Sequence, residues 1–149
     1  MTADVRETVF LVDDDPDFLD INGGLLEGNG YRVERFANPA EALRRMGEGV
    51  PDLVVSDLMM EQFDAGFSFA RQVKADERFG GVPVIIVTAV SRHLGLDLSP
   101  RSAEDLAAMG ADAWLEKPVD GARLLATVRD LLRRRDEARA GGAGGEGTS

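Results

Sequence analysis

Four places in this 149-residue chain hold side chains suited to chemistry, and each lies at or just beyond the end of a short apolar run. Asp13, Asp14 and Asp15 follow TVFLV, and Asp57 follows LVVS. Thr88 closes PVIIVT, and Lys117 stands just beyond Ala113–Leu115. If the first and third runs are neighbouring strands, Asp13, Asp14 and Asp57 converge. At an effective dielectric near 20, two like unit charges about 4 Å apart repel by about 4 kcal/mol. Such a cluster must take up a proton or bring in a cation. Mg²⁺ suits it, being satisfied by oxygen ligands, one or two carboxylates and several waters. A carboxylate nucleophile, a metal and a mobile cation are the parts of phosphoryl transfer, where catalysis is mostly positioning and charge stabilisation. In that chemistry Asp57 attacks phosphorus, Mg²⁺ and Lys117 neutralise the phosphoryl oxygens, and Thr88 hydrogen-bonds one of them.

The elements that must position these groups alternate along the chain. Strands are expected at Thr8–Val12, Tyr31–Phe36, Leu53–Ser56, Pro83–Val87 and Ala113–Leu115. Between them run stretches of helical period. Asp15 can cap the first helix with Pro16 at its first position, and Asn38-Pro39 opens the second in the same way. Gly28-Asn29-Gly30 and then Gly47 and Gly49 supply stops. Gly66–Asp76 reads as a third helix. A long mixed loop covers Ala89–Arg101, and Ser102–Asp105 is a candidate capping box for a short fourth helix ended by Gly110. Asp120 caps a last helix expected to run to about Arg139. This is a (βα)5 pattern, an α/β class with a doubly wound parallel five-stranded sheet. In such sheets ligands bind beyond the carboxyl ends of the strands, where the chemical groups fall. Residues 7–139 form one domain, and the glycine-rich stretch 140–149 is expected to be disordered.

Composition excludes other classes. There are 17 Lys and Arg against 27 Asp and Glu, a formal charge of −10, which argues against general affinity for nucleic acid or an anionic membrane surface. With no cysteine and one histidine, His93, thiolate chemistry and any two-histidine site are ruled out. His93 sits in an irregular segment without an orienting partner and reads as a bystander. No run approaches the roughly 18–20 apolar residues of a membrane span, and the N-terminus does not read as a secretory signal. The expected location is the cytoplasm. Arg133-Arg134-Arg135 reads as a set of exposed cations near a helix end.

VDDDP, SDLMM, VTA and KP, in that order and each at an expected strand end, look like the receiver domain of two-component response regulators, the fold of the chemotaxis response regulator. The likeness covers about residues 7–136. It implies a flavodoxin-like sheet of strand order 2-1-3-4-5. It implies Asp57 as phospho-acceptor, Asp14 as a direct Mg²⁺ ligand, Asp13 acting largely through metal-bound water, and the backbone carbonyl of Met59 as a further ligand. By the same likeness Thr88 is the switch hydroxyl, Lys117 the family's lysine with a cis bond to Pro118, and Trp114 stands at the switch aromatic position. Trp114 read on its own is equally a packed aromatic.

The resemblance further implies a stand-alone receiver, not an enzyme beyond its own phosphorylation and dephosphorylation. Its phosphoryl donor would be a sensor histidine kinase or a histidine phosphotransfer protein. Its output would run through contacts with a downstream protein or a second copy of itself, without nucleic acid or membrane. Two rival readings stand beside it. A Mg²⁺-dependent phosphatase with an Asp nucleophile would usually place a second Asp where Met59 stands. A scaffold receiver that is never phosphorylated would be expected to have lost the acidic site, yet its residues are present. The sequence departs from the family in two places. Glu61 and Gln62 replace the usual Pro and Gly after the acceptor. The segment Val90–Arg101 is extended and resembles a minor subgroup carrying a GxDxSP stretch, here Gly95 to Pro100. Met59 and Val90 occupy positions that flank the route of attacking water in this family. Both are apolar, so neither can orient that water by hydrogen bonding, and a long-lived phosphorylated state follows.

Overall fold

The computed structural model describes residues 7–57, 65–79, 81–88 and 111–148. Among them are five strands and four helices: β1 (Thr8–Val12), α1 (Pro16–Gly28), β2 (Arg32–Phe36), α2 (Pro39–Met46), β3 (Leu53–Asp57), α3 (Ala65–Ala75), β4 (Val84–Thr88), β5 (Ala113–Glu116) and α4 (Gly121–Thr148). The strands form one sheet in the order β2-β1-β3-β4-β5, and each pairing is parallel. This is the doubly wound α/β sheet expected. The short helix expected after Ser102 and the extended loop Val90–Arg101 lie outside the described residues.

Alternation along the strands sorts the core into two layers, because successive strand side chains point to opposite faces. Phe10, Val12, Val54, Val84 and Ile86 pack with Ala42 and Met46 of α2 and Phe69 and Val73 of α3. Val9, Leu11, Leu53, Val55, Ile85 and Val87 pack with Phe18, Leu19 and Leu26 of α1 and Leu124, Val128, Leu131 and Leu132 of α4. Both faces of the central strands are therefore dry, which is why they read as continuous apolar runs. Edge strand β2 is more polar, and its alternation sends ion pairs to both layers. Glu34 binds Arg45 of α2 at 2.9 Å, and Arg35 binds Glu27 of α1 at 3.0 Å.

The helix starts are set by the residues the sequence offers. Asp15 accepts the Asp17 N–H at 3.0 Å with Pro16 at the first helical position. Asn38 accepts the Glu41 N–H at 2.9 Å and donates back to the Glu41 carboxylate at 2.7 Å, a reciprocal cap. Asp120 accepts the Ala122 N–H at 2.9 Å at the start of α4. Gly30, at φ 96°, supplies the left-handed residue that turns α1 into β2.

Two expectations are corrected. The last helix does not stop near Arg139 but continues to Thr148. Once Leu124, Val128, Leu131 and Leu132 anchor it, each further residue adds a hydrogen bond without a new nucleus. Nor are all three of Arg133, Arg134 and Arg135 exposed cations. Arg135, 8% exposed in its side chain, pairs with Glu7, Asp52 and Asp136, each at 2.8 Å. Asp52 also accepts the Thr8 N–H at 2.7 Å, so Arg135 ties α4 to the amino ends of β1 and β3. No helix among the described residues is long and apolar enough to cross a membrane.

Candidate active site at the carboxyl ends of the strands

Register brings the chemical groups to one edge of the sheet. Val12 pairs with Phe36 on one side and with Ser56 on the other. Asp57 pairs with Val87, and Thr88 with Glu116. Asp13, Asp57, Thr88 and Lys117 thus sit at the carboxyl ends of four neighbouring strands. The Asp13 N–H donates to the Phe36 carbonyl at 3.0 Å, fixing where β1 ends and the acidic turn begins.

Asp13, Asp14 and Asp57 come together, each offering a carboxylate oxygen within 4.8 Å of the others. Asp13 and Asp57 are buried, and Asp14 is exposed. Lys117 spans 104 residues of chain to enter the cluster, its Nζ 2.9 Å from Asp13 Oδ2 and 3.5 Å from Asp57 Oδ2. Asp13 Oδ1 accepts the Asp15 N–H at 2.9 Å, so both of its oxygens are engaged. The Lys117–Pro118 bond is cis.

The electrostatics follow from burial. Loss of water raises the Asp13 pKa above the usual carboxylate value, and the Lys117 hydrogen bond only partly opposes this. Burial also pulls the Lys117 ammonium down. Its hydrogen bond to Asp13 and the charges of Asp57 and Asp13 outweigh that, leaving it above the ordinary lysine value. Three carboxylates and one ammonium leave two net negative charges when all are ionised. All the carboxylate donors are hard oxygens, so the set fits a divalent ion such as Mg²⁺.

The chain matches the family model described as response regulator receiver domain over residues 9–129. It belongs to the response regulator receiver family. This receiver is 35% identical over 137 residues to response regulator Rre1 of Synechocystis sp., covering 91% of this chain and 56% of that protein. It is 32% identical over 133 residues to the DNA-binding response regulator MtrA of Mycolicibacterium smegmatis, covering 89% of this chain and 54% of that one. The receiver therefore spans about half the length of the curated relatives it matches. A CheY-like receiver domain protein from Methanospirillum hungatei superimposes with a TM-score of 0.75 at 25% identity, covering 89% of this chain and 98% of that structure. Chemotaxis response regulator CheY4 of Vibrio cholerae gives 0.72 at 28% identity, covering 85% and 99%.

The remaining expected site residues are placed unequally. Thr88 ends β4 beside Glu116, but its hydroxyl lies outside the described atoms, and so does the whole of Met59. Trp114 is half-buried in β5, packed against the layer that holds Phe10 and Ile86. It lines a groove of about 380 Å³ with Pro118, Asp120 and Arg123. Phe18 of α1 is buried in the layer it shares with Leu19 and Leu26. In the fold its ring also lies beside Lys117, with Nζ 4.7 Å from the ring centroid. A signal existed: Pro16 fixes the first helical position, which puts Phe18 in the first turn of α1, five residues after Asp13.

Proposed function

We propose that this receiver is a cytoplasmic phospho-acceptor that takes a phosphoryl group on Asp57 from a histidine kinase or histidine phosphotransfer protein and signals through protein contacts. The observation that carries the reading is the meeting of Asp13, Asp14 and Asp57 with the Lys117 ammonium. Asp57 Oδ is the nucleophile. It forms a bond to phosphorus as the bond from phosphorus to the donor's histidine nitrogen breaks, and the nitrogen keeps that electron pair. Lys117, already 3.5 Å from Asp57, follows the negative charge onto the transferred oxygens. Thr88 donates its hydroxyl to one of them.

Mg²⁺, when bound, supplies neutralising charge between the acids and the phosphoryl oxygens. Asp14, exposed, would be the direct ligand along with Asp57 and the Met59 carbonyl. Asp13 would support the ion through water, a division favoured by the engagement of both its oxygens with Lys117 and Asp15. Addition of the phosphoryl group enlarges and charges the strand edge, and Trp114 relays that change to the groove beside β5. The formal charge of −10 favours protein targets over nucleic acid for this chain itself.

The phosphatase alternative lacks an acidic side chain at position 59, which is Met. The two readings separate on labelling with a phosphoryl donor and Mg²⁺. Stable acyl-phosphate label, lost in Asp57→Asn and kept in Asp15→Asn, is the expected result. Steady turnover of small phosphate esters with no retained label would support the phosphatase.

A further inference from the structure

Lys117 enters the acidic cluster alongside an aromatic ring. Phe18 is 8% exposed, and its ring centroid lies 4.7 Å from Lys117 Nζ. That is within the roughly 6 Å at which a ring's negative face attracts an ammonium. An ammonium has three N–H donors. Asp13 at 2.9 Å and Asp57 at 3.5 Å occupy its carboxylate side, and the ring borders it as well. Ordering a lysine stem carries one of the larger side-chain entropy costs, so two carboxylates alone would leave the cation free to follow either one. Phe18 is itself held firmly. The Asp15 cap and Pro16 start α1, and Phe18 packs into the layer formed with Leu19, Val87 and Leu124. The six residues from Asp13 to Phe18 thus deliver both the acid that pairs with Lys117 and the ring beside it.

Resting on the phospho-acceptor reading, we propose that Phe18 is a positioning residue for the reaction: its ring face holds the Lys117 ammonium between Asp13 and Asp57 before the phosphoryl oxygens arrive. A leucine at this position would cover the stem equally well but would not attract the cation. The ring therefore contributes preorganised charge rather than only packing.

The test uses the full chain with Phe18 replaced by mono-, di- and trifluorinated phenylalanine. Fluorine drains the ring face of negative charge while nearly conserving size and apolarity. The readouts are the rate of Asp57 phosphorylation by acetyl phosphate, Mg²⁺ affinity by titration of Trp114 fluorescence, and the ring-current shift of the Lys117 ε-methylene protons. The rate is expected to fall stepwise, by about threefold to tenfold at the trifluorinated ring, with Mg²⁺ affinity unmoved. Phe18→Leu is expected to lose the ring-current shift and at least as much rate, and Phe18→Tyr to restore both. A wild-type protein that is phosphorylated, with a rate flat across the fluorinated series, overturns the proposal alone. A wild-type protein that takes no phosphoryl group overturns the phospho-acceptor reading and the proposal with it. The fluorinated series keeps the result decisive even if Phe18→Leu fails to fold.

Discussion

Lys117 Nζ donates to Asp13 Oδ2 at 2.9 Å across 104 residues of chain, and Asp13 is fully buried. The bond joins the end of β1 to the turn after β5, the two sequence-distant margins of the site. Removing its cation leaves a buried carboxylate whose one remaining partner among the described residues is the Asp15 N–H. We expect Lys117→Ala to cost about 1–3 kcal/mol in urea unfolding. It should also remove most phosphorylation by acetyl phosphate. An unchanged unfolding midpoint would show that the pair contributes nothing to the fold.

Mg²⁺ affinity should fall as pH falls, starting at a higher pH than ordinary carboxylates would give. Burial holds the folded Asp13 pKa above the ordinary aspartate value, so the metal-free fold favours the proton. Without metal, the contribution of Asp13 to stability is present at acid pH and lost as pH rises through the folded pKa. Metal binding needs the carboxylate, so stabilisation by Mg²⁺ grows over that same rise. Melting temperatures with and without Mg²⁺, taken from acid to neutral pH, should diverge as pH increases. A constant difference would contradict the coupling.

At the opposite end of the sheet, Arg135 gathers Glu7, Asp52 and Asp136. We expect Arg135→Met to lower stability by about 1–3 kcal/mol, the range set by the partial exposure of its partners. Mg²⁺ affinity and phosphorylation should not change, because the cluster stands at the amino ends of the strands. A loss of Mg²⁺ affinity would show that α4 transmits strain across the sheet.

A methyl group at Gly23 would collide with the Arg35 guanidinium. Arg35 lies across α1, donating to the Leu19 carbonyl at 3.2 Å and to Glu27. Glycine to alanine inside a helix normally gains about 1 kcal/mol. Gly23→Ala should therefore gain less, or lose, in the native background and recover the gain in an Arg35→Met background. Equal effects in both backgrounds would show that Arg35 moves aside freely.

Much of the site could be read from the chain before its fold was known. The central strands are apolar on both faces, so their ends stood out, and Asp13, Asp14, Asp57 and Lys117 converge there as expected. The burial of Arg135 is hidden in the sequence because three consecutive arginines look solvated. Helical spacing held the correction, since Arg135 lies four residues after Leu131 on the stripe that buries Leu124 and Val128. Phe18 was half legible: its burial follows from period, but its neighbour Lys117 comes from the far end of the chain. The continuation of α4 runs against glycine's low helix propensity, so local composition could not reveal it.

Apolar Met59 and Val90 predict that the phosphorylated protein, freed of donor and kept in Mg²⁺, decays slowly. Rapid loss of label with no partner phosphatase would contradict that reading.

The most direct measurement is the intact mass of the protein after incubation with acetyl phosphate. A gain of one phosphoryl group in Mg²⁺, absent with chelator and absent in Asp57→Asn, is the predicted result. A gain that persists in Asp57→Asn, or no gain at all in the wild-type protein, would contradict Asp57 as the acceptor.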